Sequence, residues 1–237
     1  MHPIFGAYSL EAIIKKMETK GLDVVAPIAL NEDIFPVVQS GAIMQRAYEH
    51  DGDNRALVMK KGNCKERYLL RGIEIETKEG FHLLVIGESR IAPYQEAIRT
   101  IESALEQECL VIFDHPLVDN RNVRRSLGFE GELNLKQICR RYSGKIALEW
   151  NGYCKPLVRR LLFGGDVNER IKRLSATLKK EGYNLPVVAD TDVHARNIRL
   201  LSAIGTAYIE TEIKKGSGTA ILQSLRDNIF LGNYTNH

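Results

Sequence analysis

The sequence has few cysteines and no long uncharged apolar run. Its four cysteines form no Cys-x-x-Cys pair, which excludes a local zinc knuckle and a dithiol redox motif. No stretch approaches the roughly 18 apolar residues that a membrane-spanning helix needs. Five charged residues interrupt the first twenty positions, where a signal peptide would have its apolar core. These absences predict a cytoplasmic protein with reduced thiols and no membrane contact.

Net charge is also low. The chain has 33 basic and 30 acidic residues, a net charge of +3, and its 44% hydrophobic content is that of a globular protein. The charge is unevenly distributed, because residues 121–173 form a basic segment with 13 Lys or Arg and 5 Asp or Glu. Solvated helix faces would explain this excess, and so would a surface that binds phosphate or RNA. The sequence leaves both interpretations open.

Short apolar runs rich in β-branched residues alternate with stretches of helical periodicity, which predicts repeated βα units in one α/β domain spanning residues 1–237. The predicted strands are 23–27, 69–76, 81–86, 109–113, 145–150, 185–189 and 207–209. The predicted helices are 9–20, 34–49, 93–107, 133–141, 167–181 and 217–228, with Pro93 in a first turn. Residues 51–65 hold two glycines, two asparagines and several charges, so we expect a loop there.

Polar side chains follow two of the predicted strands directly. Asp114, His115 and Pro116 come after an apolar run, in the position from which β/α enzymes present ligands. Asp190, Asp192 and His194 share one face of an extended chain after the run that ends at Ala189. A turn would explain the first group and an Asp helix cap part of the second. A divalent metal site would explain both.

Glutamates close two more predicted strands. Glu74 and Glu76 alternate with isoleucines and so share a face, and His82 begins the next apolar run. Glu149 lies near the end of another strand, two residues before Asn151. A buried carboxylate needs a partner such as a metal.

The order of these motifs resembles that of the PHP (polymerase and histidinol phosphatase) family. The matching segments are Gly72–Ile75, His82–Leu84, Phe113–Pro116, Leu148–Asn151, Thr191–Ala195 and Gly205–Tyr208, so the resemblance covers nearly the whole chain. It implies a distorted seven-stranded TIM-like β/α barrel with a metal site at the carboxyl ends of its strands. It also implies that the metal ligands include Glu74, His82, His115, Asp192 and His194.

The chain departs from the family pattern at its N-terminal end. The family opens with a strand ending in His-x-His, and here only His2 can correspond, to the second histidine of that pair. The Asp-His that ends the next family strand is replaced by Ala29 and Leu30. The first strand of the barrel is therefore incomplete, which a start upstream of Met1 would explain. An upstream start would not explain why Ala29 and Leu30 replace the Asp-His of the next strand.

Two functions follow from the resemblance. The first is a metal-dependent phosphoesterase that hydrolyses a phosphorylated small molecule or nucleotide through metal-bound hydroxide, with one or two Zn, Mn or Fe ions. Arg196 or an arginine of residues 121–173 would then contact the phosphoryl oxygens. The second is a catalytically degenerate barrel that binds a phosphorylated ligand or RNA through residues 121–173. Substrate, metal and oligomeric state are left open.

Overall fold

A computed structural model describes most of the chain. The described residues are 2–3, 10–44, 49–60, 62–63, 65–87, 90–119, 125–151, 166–190, 194–195 and 207–237. Their helices are Leu10–Lys20 (α1), Phe35–Met44 (α2), Ala97–Glu106 (α3), Phe129–Arg141 (α4), Val167–Lys180 (α5) and Gly218–Leu231 (α6). Their strands are His2–Pro3 (β1), Val24–Val25 (β2), Glu49–Gly52 (β3), Ala56–Lys60 (β4), Arg67–Leu70 (β5), Gly72–Glu76 (β6), His82–Ile86 (β7), Leu110–Asp114 (β8), Val118–Asp119 (β9), Arg125–Ser126 (β10), Ile146–Asn151 (β11), Val187–Asp190 (β12), His194–Ala195 (β13), Ile209–Glu210 (β14) and Thr235–Asn236 (β15).

The central sheet has five strands in the order β12-β11-β8-β7-β6. Strands β12, β11 and β8 are parallel, whereas β7 is antiparallel to both β8 and β6. Strand β6 therefore runs in the same direction as β8. The carboxyl ends of β6, β8, β11 and β12 meet at one edge of the sheet together with the start of β7. We call this the carboxyl edge.

Side-chain alternation gives the central sheet two different faces. One face packs against α3, α4 and α5, and we call it the helix face. Its strand residues are Ile73, Ile75, Leu83, Val85, Val111, Phe113, Ile146 and Leu148. The opposite face, the inner face, packs against α6, β4 and β5. Its apolar residues are Leu84, Ile86, Leu110, Ile112, Ala147 and Val188.

The remaining strands form smaller sheets. A four-stranded sheet has the order β2-β5-β4-β3, and three two-stranded pairs join β1 to β13, β9 to β10, and β14 to β15. The fold is thus mixed α/β, as the sequence predicted. Across the described ranges these sheets do not close into one barrel, so the seven-stranded TIM-like barrel stays a prediction. Within the same ranges, each helix is too short or too polar to cross a bilayer.

Four local predictions were wrong. The helix predicted over 34–49 overlaps strand β3, which begins at Glu49. Most of residues 51–60 lie in strands and not in a loop, because β3 and β4 form an antiparallel hairpin there. The predicted strand 69–76 is interrupted at Arg71, so that β5 and β6 belong to different sheets. Helix α3 begins at Ala97 with Glu96 as its N-cap, four residues beyond Pro93. The helices predicted near 9–20, 133–141, 167–181 and 217–228 are confirmed within four residues.

The buried thiols are expected to resist alkylation. Cys109 and Cys139 are fully buried, and burial raises the pKa of the Cys139 thiol to about 12. At pH 8 the thiolate fraction of Cys139 is then on the order of 1 in 10,000, and only the thiolate reacts. Peptide mass spectrometry after iodoacetamide treatment should show Cys139 labelled at least about 100-fold more slowly in native than in urea-unfolded protein. Equal labelling rates in the two samples would contradict this burial.

Candidate metal centre

A cluster of titratable side chains lies on the inner face at the carboxyl edge. Alternation along the strands places there the side chains of Glu74, His82, Asp114, Glu149 and Asp190. Farther from the carboxyl edge, the same strands carry apolar residues on the inner face. Polarity therefore changes within one strand, from an apolar interior to a titratable edge.

Glu74 and His82 come from the antiparallel pair β6 and β7. The Glu74 side chain is buried, with 1% of the residue exposed, and its Oε1 contacts Nδ1 of His82. In the register of β7 and β8, His82 lies directly opposite Asp114. His82 is thereby held between a carboxylate on each side.

His115 follows β8 at a sharp bend, with a backbone φ of 44°. Its N–H donates to Oε2 of Glu149 at 2.7 Å. Its ring Nδ1 lies 3.2 Å from the same oxygen and 3.1 Å from Oδ1 of Asp114. The His115 ring lies 5.9 Å from that of His82, measured between centroids. Glu149 thus fixes both the backbone and the ring of His115.

Three of the four non-glycine residues with positive φ in the described part of the chain lie near the same edge, and the fourth, Glu108, precedes β8 at the opposite end. Besides His115, Asn31 and Tyr94 have positive φ angles, 56° and 61°. Asn31 accepts a hydrogen bond from the N–H of Glu76, and its side-chain amide donates to the Tyr94 hydroxyl at 3.2 Å. Non-glycine residues in this region cost about 1–3 kcal/mol each and cluster at functional sites.

Two groups of ligand atoms result. In the first, one atom from each of Glu74, His82, Asp114 and His115 lies within 4.8 Å of the others. In the second, the same holds for Asp114, Glu149 and Asp190. Asp114 belongs to both.

The donors fit a divalent cation. Imidazole nitrogens and carboxylate oxygens suit Zn, Mn and Fe. Nδ1 of His82 contacts Glu74 and Nδ1 of His115 lies 3.2 Å from Oε2 of Glu149, so a carboxylate fixes the orientation of each ring. Glu149 is fully buried, and its Oε1 has no hydrogen-bond partner among the described residues. A cation would compensate that buried oxygen.

The structure brings together three of the residues that the sequence singled out, namely Glu74, His82 and His115. For His2 and His194 the backbone is described, and the parallel pair β1 and β13 places them directly opposite each other. Asp192 and Arg196 lie outside the described residues.

Sequence reasoning left three members of the cluster out of its ligand set, namely Asp114, Glu149 and Asp190. Each had a visible signal, because each is a carboxylate within two residues of the end of an apolar strand. Asp114 occupies the position of the family's alanine in the Ala-His-Pro turn, so the resemblance gave no reason to select it.

Ala29 and Leu30, which replace the family's Asp-His, lie beside the site. Leu30 forms a parallel bridge with Glu74, the Glu74 N–H donates to the carbonyl of Ala29, and the Asn31 N–H donates to that of Glu74. This segment therefore runs along β6 and offers no metal-binding side chain at positions 29 and 30. Leu30 instead presents a half-exposed apolar side chain next to Glu74.

The described part of the basic segment is largely paired. Nη2 of Arg140 lies 2.9 Å from Oε2 of Glu181, and Nη2 of Arg141 lies 2.7 Å from Oε1 of Glu102. Nζ of Lys172 lies 3.3 Å from Oε1 of Glu169. Arg170 pairs with Glu132. A cavity of about 280 Å³ between α4 and α5 is lined by two of these pairs, Arg140–Glu181 and Arg170–Glu132, together with Lys136 and Arg173. Carboxylates therefore pair with four of the seven basic side chains that the structure describes in this segment.

Comparison with known proteins defines the fold class. Solved structures similar to this chain include PHP-like metal-dependent phosphoesterases, which supports a PHP-type fold. No protein-family model matches the chain, and no curated protein does so either.

Three of these structures are PsfC from Pseudomonas syringae, a two-domain protein containing a predicted PHP-like metal-dependent phosphoesterase from Bacteroides vulgatus, and the lesion-specific endonuclease PfuEndoQ from Pyrococcus furiosus. Their TM-scores are 0.57, 0.59 and 0.56, with 13%, 14% and 14% identity over 99–100% of this chain. The chain spans 84% of PsfC but only 62% and 54% of the other two. At such identities the likeness defines a fold and not an activity.

Proposed function

We propose that this chain is a metal-dependent phosphoesterase. The observation that carries the proposal is the convergence of Glu74, His82 and His115, from three separate segments, on one buried carboxylate-rich edge. Asp192 and His194 would complete the ligand set, with His2 opposite His194 in the β1–β13 pair. We further propose that residues 1–237 form a single domain, a distorted β/α barrel that includes the central sheet and has its inner face toward the barrel interior.

The protein groups have distinct roles in this proposal. His82 and His115 would hold a divalent cation, and Glu74 and Glu149 would fix the orientation of their rings. A divalent ion bound there supplies Lewis-acid activation of water and positive charge for the phosphoryl oxygens. Arg196, four residues after Asp192, would contact those oxygens.

The substrate class is a phosphate ester. The likeness to a lesion-specific endonuclease supports a nucleic-acid or nucleotide substrate, and a phosphorylated small molecule is the alternative. The ion pairs of α4 and α5 make recruitment of RNA by residues 121–173 the weaker part of the proposal.

A catalytically degenerate phosphate-binding barrel is the second candidate. One observation favours it, because Ala29 and Leu30 lie beside Glu74 where the family provides two ligands. Glu74, His82 and His115 would then act as hydrogen-bonded polar groups at the carboxyl edge.

Elemental analysis and a hydrolysis assay test the proposal. Protein incubated with Mn²⁺ or Zn²⁺ and then desalted should retain at least one ion per chain. It should hydrolyse bis(p-nitrophenyl) phosphate, p-nitrophenyl phosphate or abasic-site DNA, and a chelator should stop the reaction. Retention of only trace metal would overturn the proposal, and stoichiometric metal without hydrolysis of any of the three would favour the degenerate barrel.

A further inference from the structure

We infer that Asp114 is a shared ligand that joins two cation sites, of which the second is formed by Asp114, Glu149 and Asp190. This inference rests on the proposed function. It adds to the ligand set of the family a residue that the resemblance does not assign, and it makes the centre dinuclear through β8.

The position of β8 in the sheet gives Asp114 this role. Strand β8 lies between β7 and β11, and its last residue is directly opposite His82 on one side. On the other side Phe113 is opposite Leu148, so Glu149 lies next to Asp114. Strand β12 follows β11 and ends at Asp190 on the same face. The sheet order thus places one carboxylate between a histidine-rich group and an acidic group.

The distances between ligand atoms are consistent with Asp114 binding both cations. Asp114 contributes an atom to the group with Glu74, His82 and His115, and an atom to the group with Glu149 and Asp190, each within 4.8 Å. A carboxylate has two oxygens and can bind one cation with each of them. Its two oxygens therefore suffice for both groups.

Burial and charge give an independent reason for the second cation. Asp114 is 2% exposed, Glu149 is fully buried, and Asp190 is half-buried. Carboxylates this close repel one another, and burial makes the repulsion stronger. Oε2 of Glu149 accepts from His115, but its Oε1 has no partner among the described residues. A cation between the three carboxylates would satisfy that oxygen and offset the repulsion.

The same observation explains how the chain could keep a metal centre after its departures from the family. Ala29 and Leu30 remove two donors on the β6 side of the edge. Asp114 adds a carboxylate at a position where the family has an alanine. Compared with the family pattern, the candidate ligands of this chain therefore lie closer to β11 and β12 along the carboxyl edge.

Titration with Mn²⁺, followed by electron paramagnetic resonance, tests this inference. The wild type should bind two Mn²⁺ per chain and show the exchange-coupled spectrum of two ions that share a carboxylate. Asp114→Asn should lose the coupling and weaken binding of the second ion at least tenfold. Asp190→Asn should retain one ion with an isolated six-line spectrum. Asp227→Asn, on the exposed surface of α6, should behave as wild type.

Each alternative result has one meaning. A single bound Mn²⁺ whose affinity is unchanged in Asp114→Asn, or two ions without coupling, would overturn the inference and leave the proposed function standing. Absence of any bound ion would overturn both. If circular dichroism shows that Asp114→Asn is unfolded, Asp190→Asn decides, because two coupled ions in that variant would contradict the second site.

Discussion

Glu74→Gln is expected to lower metal-dependent phosphoester hydrolysis at least about 100-fold, or about 2.7 kcal/mol of transition-state stabilisation. Replacing residues that only orient a metal ligand already costs about 10–100-fold. Glu74 lies in the ligand group itself and also contacts Nδ1 of His82. Glutamine keeps the shape of the side chain but loses its charge, so the central sheet should remain intact.

Steady-state hydrolysis and bound metal per chain should be measured together on this variant. The matched control is Glu106→Gln, the same substitution at an exposed position on α3, which should leave both quantities unchanged. Full activity and full metal content in Glu74→Gln would contradict the role assigned to Glu74. Loss of activity with metal retained would place Glu74 beside the reaction and not in the ligand set.

Part of the site could be predicted because its signal is local. An apolar run followed at once by polar residues, as in Val111 to His115, identifies the end of a buried strand from the sequence alone. Alternation in β6 likewise puts Glu74 on the face opposite to its isoleucines. Because parallel strands end at one edge, such residues are expected to converge.

The grouping of the carboxylates could not be predicted, because it depends on strand order. Asp114 lies beside both His82 and Glu149 only because β8 lies between β7 and β11. Pairing between distant segments is set by the whole core and leaves no local trace. Grouping Asp190 with Asp114 and Glu149 as candidate ligands therefore required the sheet.

The β3–β4 hairpin shows a different limit. Its segment is rich in turn-forming and charged residues, which predicts a loop. In the structure the Asp53 carboxylate accepts from the N–H groups of Arg55 and Ala56 in the turn before β4, and residues 62–63 form a second turn after it. Ala56, Leu57 and Met59 are buried against the rest of the protein. Tertiary burial overrode the local composition.

Phe113→Ala is expected to lower the free energy of unfolding by about 3–5 kcal/mol, the usual cost of a cavity of this size. Phe113 is fully buried on the helix face and packs edge to face against Phe81, with ring centroids 5.4 Å apart. In urea the unfolding midpoint should fall by about 1–2 M.

Phe129→Ala is the matched control, because Phe129 is 84% exposed and its replacement should change the free energy of unfolding by less than about 0.5 kcal/mol. Similar midpoints for the two variants would contradict the packing of β8. Since Phe113 immediately precedes Asp114 and His115, a loss confined to Phe113→Ala would also show that the strand carrying these two residues is held in place by the core of the helix face.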